Sequence, residues 1–291
     1  MNMSIIVAKS FAEWGIDILS AALEWWNDKF KTAFDVLTTS PDVKFPNTWA
    51  SITSVNGYIA AISVPVAVIF FYIGLTRTAI HFEDLRRPER FFGIFIRLIV
   101  SVFLVTKCQS LLFNIMKIFQ AAMIKIMALP GISISADTGL QEGVPNEIVT
   151  MARSASLIAD GGILVAYLCM LLGALIFVLS LVLVLTIYLR IFRIYIYIAI
   201  SPFPLASYGG ESTSRIGRTF ILNYLAVCLQ GIVIVIAFII YANYIQNDVT
   251  IDPNNIFKSL MLYVGQVALG QLVLISTIRA SDRMTKEMIG G

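Results

Sequence analysis

Four polar side chains, Lys107, Ser110, Asn114 and Lys117, recur at steps of three, four and three residues inside a long apolar run, and Lys125 returns to the same side two turns on. At 3.6 residues per turn they share one face of a helix, with Ala121 interrupting the row and Gln120 at its edge. Ammonium, hydroxyl and amide groups in a row hydrogen-bond and attract anions. Lipid penalises such a stripe, so it must face water, protein or headgroups. Lys107 matters most, because helical rise puts it ~24 Å beyond Phe91, inside or near the outer leaflet. Three readings stay open: a lysine snorkelling to the outer interface, a contact between protomers, or a cationic pore wall for an anionic or polar cargo.

A second group lies between Arg190 and Phe220. Arg190 and Arg193 precede an aromatic-alternating run, then Ser201-Pro202-Phe203-Pro204, a Gly209-Gly210 hinge, and Arg215 and Arg218 at the entry to another apolar stretch. The prolines remove backbone donors and force a turn, so this is a candidate gate or docking junction, with a plain cytoplasmic hairpin as the bland alternative. A third group is acidic. Glu13, Asp17, Glu24 and Asp28 recur on one face of an amphipathic N-terminal pattern whose other face carries Leu19, Leu23, Trp26 and Phe30. Carboxylates in place of Lys and Arg favour a protein partner over a simple lipid-surface anchor, which makes this helix, Trp26 included, a candidate external partner site.

Catalytic chemistry fails on inventory. His81 is the single histidine, so a His-based triad, an HExxH site or a multi-histidine metal cluster cannot be assembled. Neither GxxxxGK[ST] nor GxGxxG occurs, so any energy supply falls to a partner, and neither cofactor nor metal is expected. The carboxylate pairs of ion-coupled transporters are missing too, Asp160 at a span end being the nearest acid. Cys108, Cys169 and Cys228 stand singly in apolar stretches and read as buried free thiols.

The elements that must position these groups are membrane helices. With 58% hydrophobic and 13% charged residues and a mean hydropathy of +0.84, the 291-residue chain is far more apolar than a soluble domain, and its net charge of +3 is too small to argue for nucleic-acid binding. The expected fold is all-α and polytopic: an amphipathic N-terminal helix and linker over residues 1–50, with no cleaved signal sequence, then a membrane domain over 51–291. Spans are expected at about 55–80, 91–113 with an extension to 129, 162–189, 219–241 and 257–278, plus a proline-broken half-length element at 194–208, re-entrant or interfacial. Gly162, Ala166, Met170 and Gly173 on one span, and Gly265, Gln266, Ala268 and Gln271 on another, mark close helix packing, and Asn223 and Gln230 offer amides to a neighbouring helix.

Orientation follows from arginine. Arg77, Arg86, Arg87, Arg90, Arg97, Arg190, Arg193, Arg215, Arg218, Arg279 and Arg283 fall on one side and Arg153 on the other, while Lys117, Lys125 and Lys258 partly dissent. The positive-inside rule then puts the N-terminus outside and the C-terminus in the cytoplasm.

The stretch Tyr188-Leu-Arg-Ile-Phe-Arg-Ile-Tyr-Ile-Tyr-Ile-Ala-Ile-Ser-Pro-Phe-Pro204, with Arg218-Thr-Phe and the Asn223 to Gly231 segment, resembles TrbL-type inner-membrane components of type IV secretion systems, particularly those of Gram-positive conjugative elements. The clear likeness covers about a quarter of the chain. It implies a homo-oligomeric channel or scaffold subunit in the bacterial cytoplasmic membrane, working with other secretion-system membrane subunits and ATPases, with DNA and its attached protein as possible cargo. A small-solute transporter or ion channel and a non-conducting membrane adaptor are the alternatives.

Overall fold

The structure, a computed structural model, describes residues 11–79, 88–129, 144–154, 162–245 and 256–290. His81, Arg86, Arg87, Pro130, Gly131, Asp137, Glu142, Asp160, Asn247, Asp248, Asp252 and Pro253 lie outside them. The described residues are helical, without strands: α1 (Phe11–Thr38), α2 (Pro41–Lys44), α3 (Pro46–Ala79), α4 (Pro88–Met127), α5 (Asn146–Ser154), α6 (Gly162–Ile200), α7 (Pro202–Ala206), a 3₁₀ turn (Ser207–Gly209), α8 (Ser214–Ile245) and α9 (Ile256–Ile289).

Helices α3, α4, α6, α8 and α9 are long and apolar enough to cross a membrane, matching the five expected spans. The chain is therefore an all-α, multi-pass membrane protein. Backbone satisfaction explains why: in hydrocarbon each N–H and C=O must pair within its own helix. Helix α4 has 40 residues, roughly 60 Å at helical rise, so it outruns a hydrocarbon core of ~30 Å as its uninterrupted apolar run predicts.

One expected boundary moves. Arg190 and Arg193 do not divide the third apolar stretch, because α6 continues through both for 39 residues to Ile200. Residues 194–200 thus belong to a long helix, and the proline-broken part of the expected 194–208 element shrinks to five-residue α7 and the turn after it. The arginines are tolerated in mid-helix because Arg190 finds backbone acceptors and Arg193 finds an acid.

Contacts divide the chain into two units. The described residues within Met1–Asp35, Met127–Ile187 and Ile234–Arg279 form the first. Here the apolar face of α1 packs on the chain itself: Leu19, Leu23, Trp26 and Phe30 are fully buried, Trp26 meets Tyr241 at 6.0 Å, and Phe30 meets Phe238 at 4.9 Å between ring centroids. Small residues allow α1 to approach α6 closely. A Cβ on Gly15 would stand 2.6 Å from the Ala166 Cα, and one on Gly173 would stand 3.3 Å from Ile18. The Ala166 and Gly173 face read as a packing surface is therefore the seat of α1. The described N-terminal helix joins α6 and α8 in one unit instead of standing apart.

The second unit holds the described residues of Val36–Ile126, Tyr188–Val233 and Ala280–Gly291. Its core joins α3, α4, the end of α6, α7 and the start of α8 through Ala67, Val105, Leu112, Ile198, Leu205 and Tyr224. Trp49 stacks on Phe113 at 4.6 Å, and the Tyr224 hydroxyl donates to the Leu112 carbonyl at 2.8 Å.

Candidate functional site

The stripe on α4 is exposed along its whole length. Lys107, Ser110, Asn114, Lys117 and Lys125 all lie on the outer face, while Val105, Cys108, Leu112 and Met116 on the opposite face are buried. The two faces follow from one helix with a 3.6-residue period. Lys117 folds back over the Phe113 ring at 4.4 Å, a cation–π contact that holds its ammonium beside the helix. Among the described residues no carboxylate pairs with Lys107, Lys117 or Lys125. Helices α3 and α4 also bury little of themselves, 17% and 22% of their most apolar stretches against 61% for α8, so they present most of their surface outward.

The proline junction is built by side chains from α3 and α4. Asn56, 4% exposed, donates its amide to the Ile198 carbonyl at 2.6 Å and to the Ser201 hydroxyl at 3.2 Å, satisfying acceptors at the end of α6. Ser101 donates to the Ala206 carbonyl at 3.0 Å at the end of α7. Gly209 and Gly210 serve close approach, since a Cβ at either would lie 2.6 Å from the carbonyl of Ala67 or Phe70 on α3. Pro202 is buried and Pro204 half-buried, whereas Arg215 and Arg218 are exposed. Burial raises the Tyr208 phenol above its usual range, and Arg218 pulls it partly back, so the hydroxyl stays protonated at neutral pH. Arg97 meets Glu211 of this junction at 2.7 Å in an exposed ion pair.

The junction arginines separate by environment. Arg193 is exposed and pairs with Asp282 of α9 at 2.6 Å. Arg190, 5% exposed, turns inward and donates to the Val227 and Cys228 carbonyls of α8 at 3.3 and 3.5 Å. Gly231 supplies the room, because a Cβ there would stand 2.4 Å from the Arg190 Nη2. Gln230 donates to Ser281 at 3.1 Å, the interhelical amide bond expected of it.

On α1, Asp17, Glu24 and Asp28 are exposed and Glu13 half-buried, so the acids keep the outer face expected of them. Trp26 does not join them: it is fully buried against Tyr241, and the exposed tryptophans are Trp14 and Trp25. Trp26 is thereby corrected from a partner-facing residue to a core residue, since the apolar face of α1 is already covered by the chain. Cys108, Cys169 and Cys228 are free and buried. Among the described residues no group of His, Cys, Asp and Glu has the composition to hold a metal ion.

Sequence reasoning passed over Asn56, Ser101 and Gly231. A lone amide near the start of an apolar run was the available signal for Asn56; nothing local marks Gly231, whose role depends on a side chain 41 positions earlier. Comparison with family models, with curated proteins and with solved structures returns no match.

Proposed function

We propose that this protein is a non-enzymatic, oligomeric subunit of a membrane translocation path, serving a conjugative type IV secretion machine as channel wall or scaffold. The observation that carries the reading is the exposed polar stripe of α4. Arg97 and Glu211, both exposed and paired, mark a watery level on the helix. Lys107 lies ten residues further, ~15 Å by helical rise, near the middle of a ~30 Å core, and Lys117 lies ~30 Å away, at its far boundary. Lys107, Ser110 and Asn114 therefore sit at hydrocarbon depth on the outside of one copy of the chain. A lysine at that depth costs about 2.5–3.5 kcal/mol on insertion scales, which water in a lumen or a second copy of the chain relieves.

The secretion machine and its bacterial cytoplasmic membrane come from the resemblance of the 188–231 stretch. ATPases and other membrane subunits would then supply the energy and continue the path, with DNA as cargo only. Deleting the gene and complementing it tests the reading. Wild-type chain should restore conjugative transfer, and the Lys107→Leu, Asn114→Leu double variant, expressed at the same level, should restore it at least tenfold less well. Transfer that survives deletion sinks the proposal, and full rescue by the double variant removes the conduit in favour of an adaptor.

A further inference from the structure

Arg190 carries a charge that the fold leaves without an opposite partner. It is 5% exposed, and among the described residues no carboxylate reaches it. Two helix carbonyls at 3.3 and 3.5 Å accept from Nε and Nη2, which leaves the Nη1 amino group with no acceptor among the described residues. Burying a cation costs several kcal/mol unless an anion or a full set of acceptors compensates. Two long bonds to neutral carbonyls are a partial set.

Arg190 also lines a small, open-sided cavity of about 20 Å³. Arg190 and Gln120 line it with Thr39 and Pro41, over a floor that includes Met116 and Met123. Its wall carries one cation and no acid. The wall is held in place, since the Gln120 amide donates to the Thr38 carbonyl at 2.5 Å and the Tyr195 hydroxyl donates to the Pro41 carbonyl at 2.9 Å. A guanidinium edge with donors in a fixed plane matches a tetrahedral oxyanion, and apolar walls strengthen the attraction by excluding water.

We propose that Arg190 and this cavity form a binding site for a phosphate group, carried either by free phosphate or by the headgroup of an anionic phospholipid. The site stands on the chain's own geometry and holds whether or not the protein serves a secretion machine. Phosphate oxygens would complete the guanidinium's hydrogen bonds and neutralise it.

The test uses the full-length protein, lipid-depleted in detergent, with its unfolding temperature followed against inorganic phosphate at ionic strength held constant with chloride. A second arm places it in nanodiscs of phosphatidylcholine with or without phosphatidylglycerol, and native mass spectrometry reads any retained lipid. A saturable rise with phosphate alone assigns free phosphate, a rise or retention with phosphatidylglycerol alone assigns the headgroup, and both together assign the shared chemistry. Arg190→Gln should lower the apparent affinity at least tenfold. If that variant does not fold, Thr39→Leu, which keeps the cation and adds bulk to the cavity wall, should do the same. No response to either source in the wild-type chain overturns the site, as does a response unchanged in the variants.

Discussion

Replacing Gly231 by alanine tests whether α8 is shaped around the buried guanidinium. A Cβ at this position would stand 2.4 Å from the Arg190 Nη2, 2.8 Å from its Cζ and 2.5 Å from the Met123 sulfur. All three atoms belong to side chains, but neither residue has free room: Arg190 is 5% and Met123 3% exposed. Forcing a methyl group into a packed interior costs about 1–3 kcal/mol. Displacing the guanidinium also weakens its bonds to Val227 and Cys228, and a hydrogen bond from a charged group is worth ~1.5–3 kcal/mol. Against this, alanine favours a helix over glycine by ~1 kcal/mol. The sum predicts a net loss of about 1.5–5 kcal/mol for Gly231→Ala.

Denaturant unfolding of the purified protein in mixed micelles measures this, with Gly57→Ala and Gly265→Ala as controls. Among the described residues, nothing beyond the adjacent residues and the backbone of its own helix lies within 4 Å of the added Cβ at either control position, so both should be neutral or stabilising by up to ~1 kcal/mol. The double-mutant cycle with Arg190→Met carries the specific claim. Methionine removes the fork that Gly231 accommodates, so the alanine should cost at least ~1 kcal/mol less in that background. A Gly231→Ala protein as stable as wild type, or a cycle with no coupling, refutes the reasoning.

Asn56→Leu removes the amide donor from the Ser201 oxygen and from the Ile198 carbonyl, which keeps only the Ser201 hydroxyl at 2.9 Å, and should destabilise by ~1–3 kcal/mol and speed amide exchange over residues 201–210; unchanged exchange there counts against the clamp. Gln271→Leu should be neutral or stabilising by ~1–3 kcal/mol, because both ends of this fully buried amide lack a hydrogen-bond partner among the described residues, and a clear loss of unfolding free energy would show that the amide does have one. Asp282→Asn should shift stability by less than ~1 kcal/mol, since the paired Arg193 is half-exposed; a larger loss in the same unfolding assay would mark the pair as part of a coupled network. Ser110→Cys should react with a membrane-impermeant maleimide or oxidise to a cross-linked dimer in membranes, against a low background from three buried native thiols, while Ile99→Cys does neither. A Ser110→Cys chain inert to both reagents would place the stripe against lipid.

The five crossings were legible because hydrocarbon imposes a length and a composition on each segment separately, and both can be read without knowing any neighbour. The exposed row on α4 was legible for a related reason: a 3.6-residue period assigns faces within one helix, and Lys107, Ser110, Asn114 and Lys117 did fall together on the outside. What covers a face is a different question. The apolar side of α1 was plain in the spacing of Leu19, Leu23, Trp26 and Phe30, but an apolar stripe is equally suited to lipid, a partner or the chain's own helices. Gly15 and Gly173 decide it by admitting α1 onto α6, and that fit appears only when both helices are placed.

Arg190 shows the same limit more sharply. Read along the chain, an arginine after a long apolar run marks an interface, because the cost of burying its charge dominates every local consideration. In the fold that cost is reduced by two α8 carbonyls and by the missing side chain at Gly231, all more than 35 positions away. Its neighbour Arg193, with nearly the same local surroundings, stays outside because Asp282 lies within reach. Two identical residues one helical turn apart thus take opposite environments, and the difference lies wholly in what faces them. The residue that sequence logic assigned to the surface is the one whose charge the interior leaves open for a ligand.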